Sequence, residues 1–223
     1  MLMGIEGYQL SPQQQHLWQL QQTYNLSYRA QCAVAINGNL NTNTLKAALT
    51  QIVQQHEILR TTYRYLPGMT LPLQVIVDNS FDWQHHDLSN HQPQEHQAKL
   101  EVLFHQFSQQ PFNLTQGPVL KLSLVTLSTS QHILLIALPA LCADTATLEN
   151  LVQEISKYYA ASSHRQELSD EPLQYADLAA WQNELLQAGD TEGGRDYWRK
   201  LDFSALTALQ LIFEKEVTEQ LEF

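Results

Sequence analysis

Cysteine is almost missing from this 223-residue chain: only Cys32 and Cys142 occur, far apart and without Cys-x-x-Cys spacing. Neither a disulfide framework nor a structural zinc site is indicated, and a reduced, cytoplasmic setting is expected. Positive charge is also scarce. Against 23 Asp and Glu stand 12 Lys and Arg, for a formal net charge of −11, and the basic residues form no long stripe. Such a surface repels a phosphate backbone, which argues against nucleic acid as a partner. Long apolar runs are lacking too. No segment reaches the roughly 18 uninterrupted apolar residues of a membrane span. The first six residues, Met1 to Glu6, lack the basic and apolar regions of a signal peptide. A soluble protein that does not enter membranes is expected.

What is present is the composition of a packed core, with 43% hydrophobic and 16% charged residues. Ser11 before Pro12 reads as an N-cap with proline at the first helical position, opening a helix over Gln13–Gln22. Tyr28–Ile36 reads as a strand ending at the Asn37-Gly38 turn. From Thr44, the residues Leu45, Ala48, Leu49, Ile52 and Val53 form the stripe of an amphipathic helix. Leu59–Tyr65 and Leu73–Val77 read as strands about a Pro67-Gly68 turn, and Phe81–Leu88 as a further short strand. Gln94–Gln109 has helical spacing. Val119–Leu127 and His132–Leu138 are apolar strands joined by Ser128-Thr129-Ser130, a hairpin pattern. Thr147 is placed to cap a helix running through Tyr159, and Ala161–Pro172 reads as a surface loop. Helices over Tyr175–Gln187 and Gly194–Leu201 and a strand over Leu206–Phe213 complete the chain. Interleaved helices and strands give an α/β or α+β fold class.

Five separated segments, in this order, carry a family resemblance. Ser11-Pro12-Gln13-Gln14-Gln15-His16-Leu17-Trp18 is similar to a Ser-x-x-Gln-x-x-x-Trp helix opening. Gln55-His56-Glu57-Ile58-Leu59-Arg60-Thr61-Thr62-Tyr63 is similar to Arg-His-Glu-x-Leu-Arg-Thr-x-Phe. Pro111-Phe112-Asn113-Leu114 with Gly117-Pro118, Tyr175-Ala176-Asp177-Leu178-Ala179-Ala180-Trp181, and Tyr197-Trp198 follow. Together they resemble the N-terminal half of a condensation domain of a non-ribosomal peptide synthetase. The resemblance implies a chloramphenicol acetyltransferase-like half-domain, an α/β (α+β) sandwich with a mixed sheet flanked by helices. It implies a lobe over residues 1–205, with 206–223 starting the crossover to a C-terminal lobe that this chain lacks. It also implies no directly bound cofactor or metal, the phosphopantetheine arm of a carrier protein being the substrate handle. The implied partners are that carrier, adjacent synthetase domains, and either a separate C-terminal lobe or a second copy.

The family carries a His-His-x-x-x-Asp-Gly loop after the strand matching His132–Leu138, and its second His orients or deprotonates the acceptor amine. Here the two His positions fall on Pro139 and Ala140, the Asp on Asp144 and the Gly on Thr145. Neither Pro nor Ala accepts a proton through its side chain, and loss of a general base costs roughly 10²- to 10⁴-fold in rate. Thr145 adds a β-branched side chain where the family keeps bare backbone, which narrows the tunnel floor or demands a different φ. Cys142 invites a nucleophile reading, since thiolates attack thioesters; the other reading, favoured because no His is near in sequence, is a small buried residue. The resemblance pairs Asp144 with Arg60 in an ion pair that holds the loop. His85-His86-Asp87 is the only His-His pair, and adjacent strand positions point its rings to opposite faces, away from a shared metal. His56 reads as structural. Arg195, Arg199 and Lys200 form the densest basic stretch, which reads first as a solvated helix face and, as the alternative, as the contact for an acidic carrier. Three functions stay open: a catalytically degenerate module that binds a carrier or neighbouring domain, an active condensation enzyme once a C-terminal lobe is supplied, and a free-standing acyl-CoA acyltransferase.

Overall fold

A computed structural model describes residues 6–24, 27–164, 172–188 and 192–204. The strand expected over Leu206–Phe213 lies outside them, as does 165–171 of the expected Ala161–Pro172 loop.

Helix α1, Pro12–Tyr24, starts where the Ser-Pro pair places it. The Ser11 hydroxyl accepts from the Gln14 backbone N–H at 3.1 Å, and Gln14 Oε1 accepts from the Ser11 N–H at 3.0 Å. This reciprocal exchange satisfies two donors that a helix start leaves open. Strand β1 follows, Arg29–Asn37, and then helix α2, Thr42–Gln55. Helix α2 begins two residues before the expected Thr44, because the Asn41 side chain accepts from the N–H groups of Asn43 and Thr44 at 3.0 and 3.1 Å. Its predicted stripe, Leu45, Ala48, Leu49, Ile52 and Val53, is entirely buried.

The strand expected from Leu59 is shorter. A 3-10 turn, Glu57–Arg60, precedes strand β2, Thr61–Arg64. The turn is closed by Leu59 N–H on His56 O at 3.1 Å and by the Thr61 hydroxyl on Glu57 O at 2.7 Å. These local hydrogen bonds claim Leu59 and Arg60 for the turn, while Thr61, Thr62 and Tyr63 form the strand their β propensity favours. Strand β3, Leu73–Ile76, pairs antiparallel with β2 to form a small separate sheet.

Strand β4 (Asp82–Asp87), helix α3 (Pro93–Gln109) and strand β5 (Lys121–Ser128) form a unit whose two strands pair in parallel, as a helical crossover permits. Strand β6, Gln131–Pro139, returns from β5 through the expected hairpin. The main sheet has the order β1-β6-β5-β4, with only the β4–β5 pair parallel. It is the mixed sheet flanked by helices that the resemblance implies. Helices α4 (Thr145–His164), α5 (Tyr175–Gln187) and α6 (Glu192–Lys200) follow.

The main core lies on one sheet face, where Leu122, Leu134, Ile136 and Leu138 meet α2 and the Leu148, Leu151 and Ile155 side of α4. Leu135 and Ala137 point the other way, to Phe107 of α3 and Phe112. Strand β6 is thus covered on both faces, which explains its unbroken apolar run in place of alternation. This doubly buried strand delivers the 139–145 loop to a fixed place.

Candidate functional site

Pro139 ends β6, and the chain turns at once into α4. Two backbone bonds hold the turn: Ala140 N–H donates to Tyr28 O at 2.9 Å, and Cys142 N–H to Pro139 O at 2.8 Å. Leu141, Cys142 and Ala143 are buried, Ala140 is half-buried, and Asp144 and Thr145 face outward. At the two positions where the resemblance implies histidine, Pro139 and Ala140 present a pyrrolidine ring and a methyl group. The loop therefore carries no proton acceptor there.

Asp144 serves a different purpose from the expected ion pair. Its Oδ1 accepts from the Thr147 N–H at 2.8 Å and from the Thr147 hydroxyl at 2.7 Å, which makes Asp144, and not Thr147, the N-cap of α4. The helix accordingly begins at Thr145, two residues before the position expected to cap it, and it runs past Tyr159 to His164. The Thr147 backbone and side-chain hydrogen bonds hold the Asp144 carboxyl below its ordinary range. Arg60 instead reaches Glu57, at 3.6 Å, and its buried Nε has no partner. The Arg60–Asp144 pair is not formed. Free N–H groups three residues beyond Asp144 are satisfied locally, without the ordering that a distant arginine demands. Thr145 lies within α4, where the helical backbone does not require glycine.

Cys142 is enclosed. Its Sγ lies 3.3 Å from the Tyr63 hydroxyl, and burial pushes the thiol pKa up to about 12 despite that hydrogen bond. A thiol with that pKa presents almost no thiolate at neutral pH, so it is no nucleophile in this state. Burial likewise drives the Tyr63 phenol well above its usual value, with Cys142 adding to the shift.

Two clefts flank α4. One, of about 660 Å³, runs between β1 and α4 and is lined by Ala30, Cys32, Val34, Leu148 and Val152, with Thr145 where the loop ends. The other, about 440 Å³, lies beside the 3-10 turn, where His56 Nε2 and Glu154 Oε2 approach to 2.7 Å. This contact ties the end of α2 to α4, in line with a structural role for His56. His85 is exposed on β4 and contacts the Thr126 hydroxyl at 3.0 Å, while His86 is half-buried. Among the described residues, no group of three or more His, Cys, Asp or Glu is arranged to hold a metal ion. Nor is any helix of those residues long and apolar enough to cross a membrane. Arg195, Arg199 and Lys200 sit on exposed α6, Arg199 at 3.7 Å from Asp196 and Arg195 donating to Leu186 O. Tyr197 and Trp198 of the same helix are 60% and 63% exposed.

Sequence reasoning misses a buried polar cluster behind the loop. Gln14 is only 3% exposed, and its Nε2 donates to Leu141 O at 3.0 Å, Gln74 Oε1 at 3.1 Å and Tyr63 Oη at 3.3 Å. Gln14 sits in a run of glutamines typical of a solvated helix; the Ser-x-x-Gln spacing is the signal that could have found it.

Residues 5–222 match the family model described as "Condensation domain". The chain is 31% identical over 207 residues to chondramide synthase cmdD of Chondromyces crocatus, covering 91% of this chain and 5% of that protein. It is 28% identical over 222 residues to malpibaldin synthetase of Mortierella alpina, covering 98% of this chain and 4% of that protein. This chain thus spans a small part of these curated relatives. Among solved structures, the starter condensation domain of rhizomide synthetase RzmA superposes with a TM-score of 0.77 at 22% identity, covering 87% of this chain and 48% of that one. The SgcC5 protein from Streptomyces globisporus gives 0.68 at 23% identity, covering 78% and 39%. At these identities the structures establish a shared fold.

Proposed function

This chain belongs to the condensation-domain family of non-ribosomal peptide synthetases, and from that premise we propose that it is a catalytically degenerate member acting through a carrier protein or a neighbouring synthetase domain. The observation that carries this reading is the loop itself. Its backbone is anchored by Tyr28 and Pro139, and α4 is capped behind it, yet Pro139 and Ala140 supply no base. An amine attacking a thioester must shed a proton, and without a positioned acceptor the step slows by roughly 10²- to 10⁴-fold. Cys142 offers no replacement while its thiol stays protonated.

The carrier contact falls to Arg195, Arg199 and Lys200, flanked by exposed Tyr197 and Trp198, a basic and aromatic surface on an otherwise acidic chain. Such a patch suits an acidic partner through local complementarity. The phosphopantetheine arm of that carrier is the handle that would reach the groove between β1 and α4.

A second reading, retained activity once a C-terminal lobe is present, is favoured by that same groove of about 660 Å³ beside the loop. Orientation alone is worth about 7–11 kcal/mol in favourable cases. Turnover of two thioester-loaded carriers by the domain joined to a C-terminal lobe separates the two. The degenerate reading expects amide formation at background level and at least a hundredfold gain from Ala140→His. Wild-type turnover well above background would overturn it.

A further inference from the structure

The cluster behind the loop joins four segments that are distant in sequence, and its hydrogen bonds converge on one loop carbonyl. We infer that Ser11, Gln14, Tyr63 and Gln74 are positioning residues that set the path of the 139–145 loop, Gln14 acting directly on the Leu141 carbonyl. The loop's own backbone bonds use the N–H groups of Ala140 and Cys142, and the Leu141 oxygen is served by side chains alone: Gln14 Nε2 at 3.0 Å and Tyr63 Oη at 3.3 Å. A buried carbonyl without a donor is costly, so the loop keeps this path only while those donors are in place.

The aim of Gln14 is itself determined. The Ser11 N–H donates to Gln14 Oε1 at 3.0 Å, which turns the amide oxygen toward the helix start and leaves both amide hydrogens pointing inward. Gln74 presents its Oε1 to Gln14 at 3.1 Å and is held by donating through Nε2 to Gln9 O at 2.9 Å. The Ser11 hydroxyl shares a 2.8 Å hydrogen bond with Tyr175 of α5. Ser11, Gln14, Tyr63 and Gln74 are each at most 3% exposed, and all four have partners. A fully satisfied buried network specifies one arrangement of the segments it joins. The Ser-x-x-Gln opening is therefore more than a helix start: it reaches across the fold to the candidate site.

The loop's importance to function rests on the reading proposed above; the network's hold on the loop does not, and its test needs no substrate. Cys142 follows Leu141 directly and reports any opening. The Cys142 peptide is followed by mass spectrometry after thiol labelling of the full chain at pH 8, without denaturant. Gln14→Leu, which keeps bulk but removes both donors, is compared with Leu45→Ala, a core cavity on α2. At matched distance below each variant's melting temperature, Gln14→Leu should label Cys142 at least tenfold faster than Leu45→Ala. Equal rates in the two variants would reduce the network to ordinary core stability and overturn the inference. Tyr63→Phe, which removes one hydroxyl and keeps the ring, serves in the same comparison should Gln14→Leu fail to fold, with a gain of at least threefold expected and none refuting. Failure here would leave the degenerate-domain reading intact, and carrier turnover would leave this result intact.

Discussion

Replacing Asp144 with alanine removes the acceptor that receives the Thr147 N–H at 2.8 Å and the Thr147 hydroxyl at 2.7 Å. Loss of an N-cap side chain costs about 0.5–2 kcal/mol, typically ~1. For a chain of this length, ~1 kcal/mol lowers Tm by about 2–4 °C. Asparagine retains the side-chain oxygen and caps as well as aspartate, so Asp144→Asn should stay close to wild type. Arg60→Ala removes only a partly exposed contact to Glu57, at 3.6 Å and three residues away, in a class worth about 0.2–0.5 kcal/mol. Because Arg60 and Asp144 share no contact, the double variant should show the sum of the two losses, with coupling below about 0.5 kcal/mol. A buried ion pair would behave otherwise: breaking either side would cost about 3–5 kcal/mol. Urea denaturation of the wild type, both single variants and the double variant measures the coupling. A value above about 1 kcal/mol, or Asp144→Asn as damaging as Asp144→Ala, would refute the capping assignment. The pH dependence has a definite sign. The Asp144 carboxyl is held low by the Thr147 hydrogen bonds, so its contribution is complete above the unfolded carboxylate value of about 3.9 and fades as pH falls through the lower native value. The Asp144→Ala penalty should therefore be flat from about pH 5 to 8 and shrink in more acidic solution.

With a thiol pKa pushed up to about 12, Cys142 should label at pH 8 on the order of 10³-fold more slowly in the native protein than in urea; comparable rates would contradict its enclosure. Tyr63→Phe, which strips a hydroxyl that Gln14 and Cys142 both contact, should cost about 1–3 kcal/mol in chemical denaturation, and a gain in stability would count against the network. Charge reversal at Arg195, Arg199 and Lys200 together should weaken binding of an acidic carrier at least fivefold and flatten its salt dependence, on the order expected for exposed charges. Unchanged affinity in a fluorescence titration would remove α6 as the contact.

Features set by neighbours in the chain were legible from the residues alone. The stripe of α2, the Ser128-Thr129-Ser130 hairpin, the bounds of α5 and the Ser11 cap depend on spacing and local hydrogen bonds, which travel with the sequence. The absence of a side-chain proton acceptor at Pro139 and Ala140 was legible for a stronger reason, since no fold gives a proline ring or a methyl group one. Tertiary structure decided which distant groups meet. Asp144 has its own helix start within reach and Arg60 has Glu57, so the long-range pair implied by the resemblance loses to two local contacts. Gln14 shows the opposite case. A polar residue among glutamines on α1 is buried because β2, β3 and the 139–145 loop close over it, and only their meeting turns a surface-like side chain into a donor for Leu141.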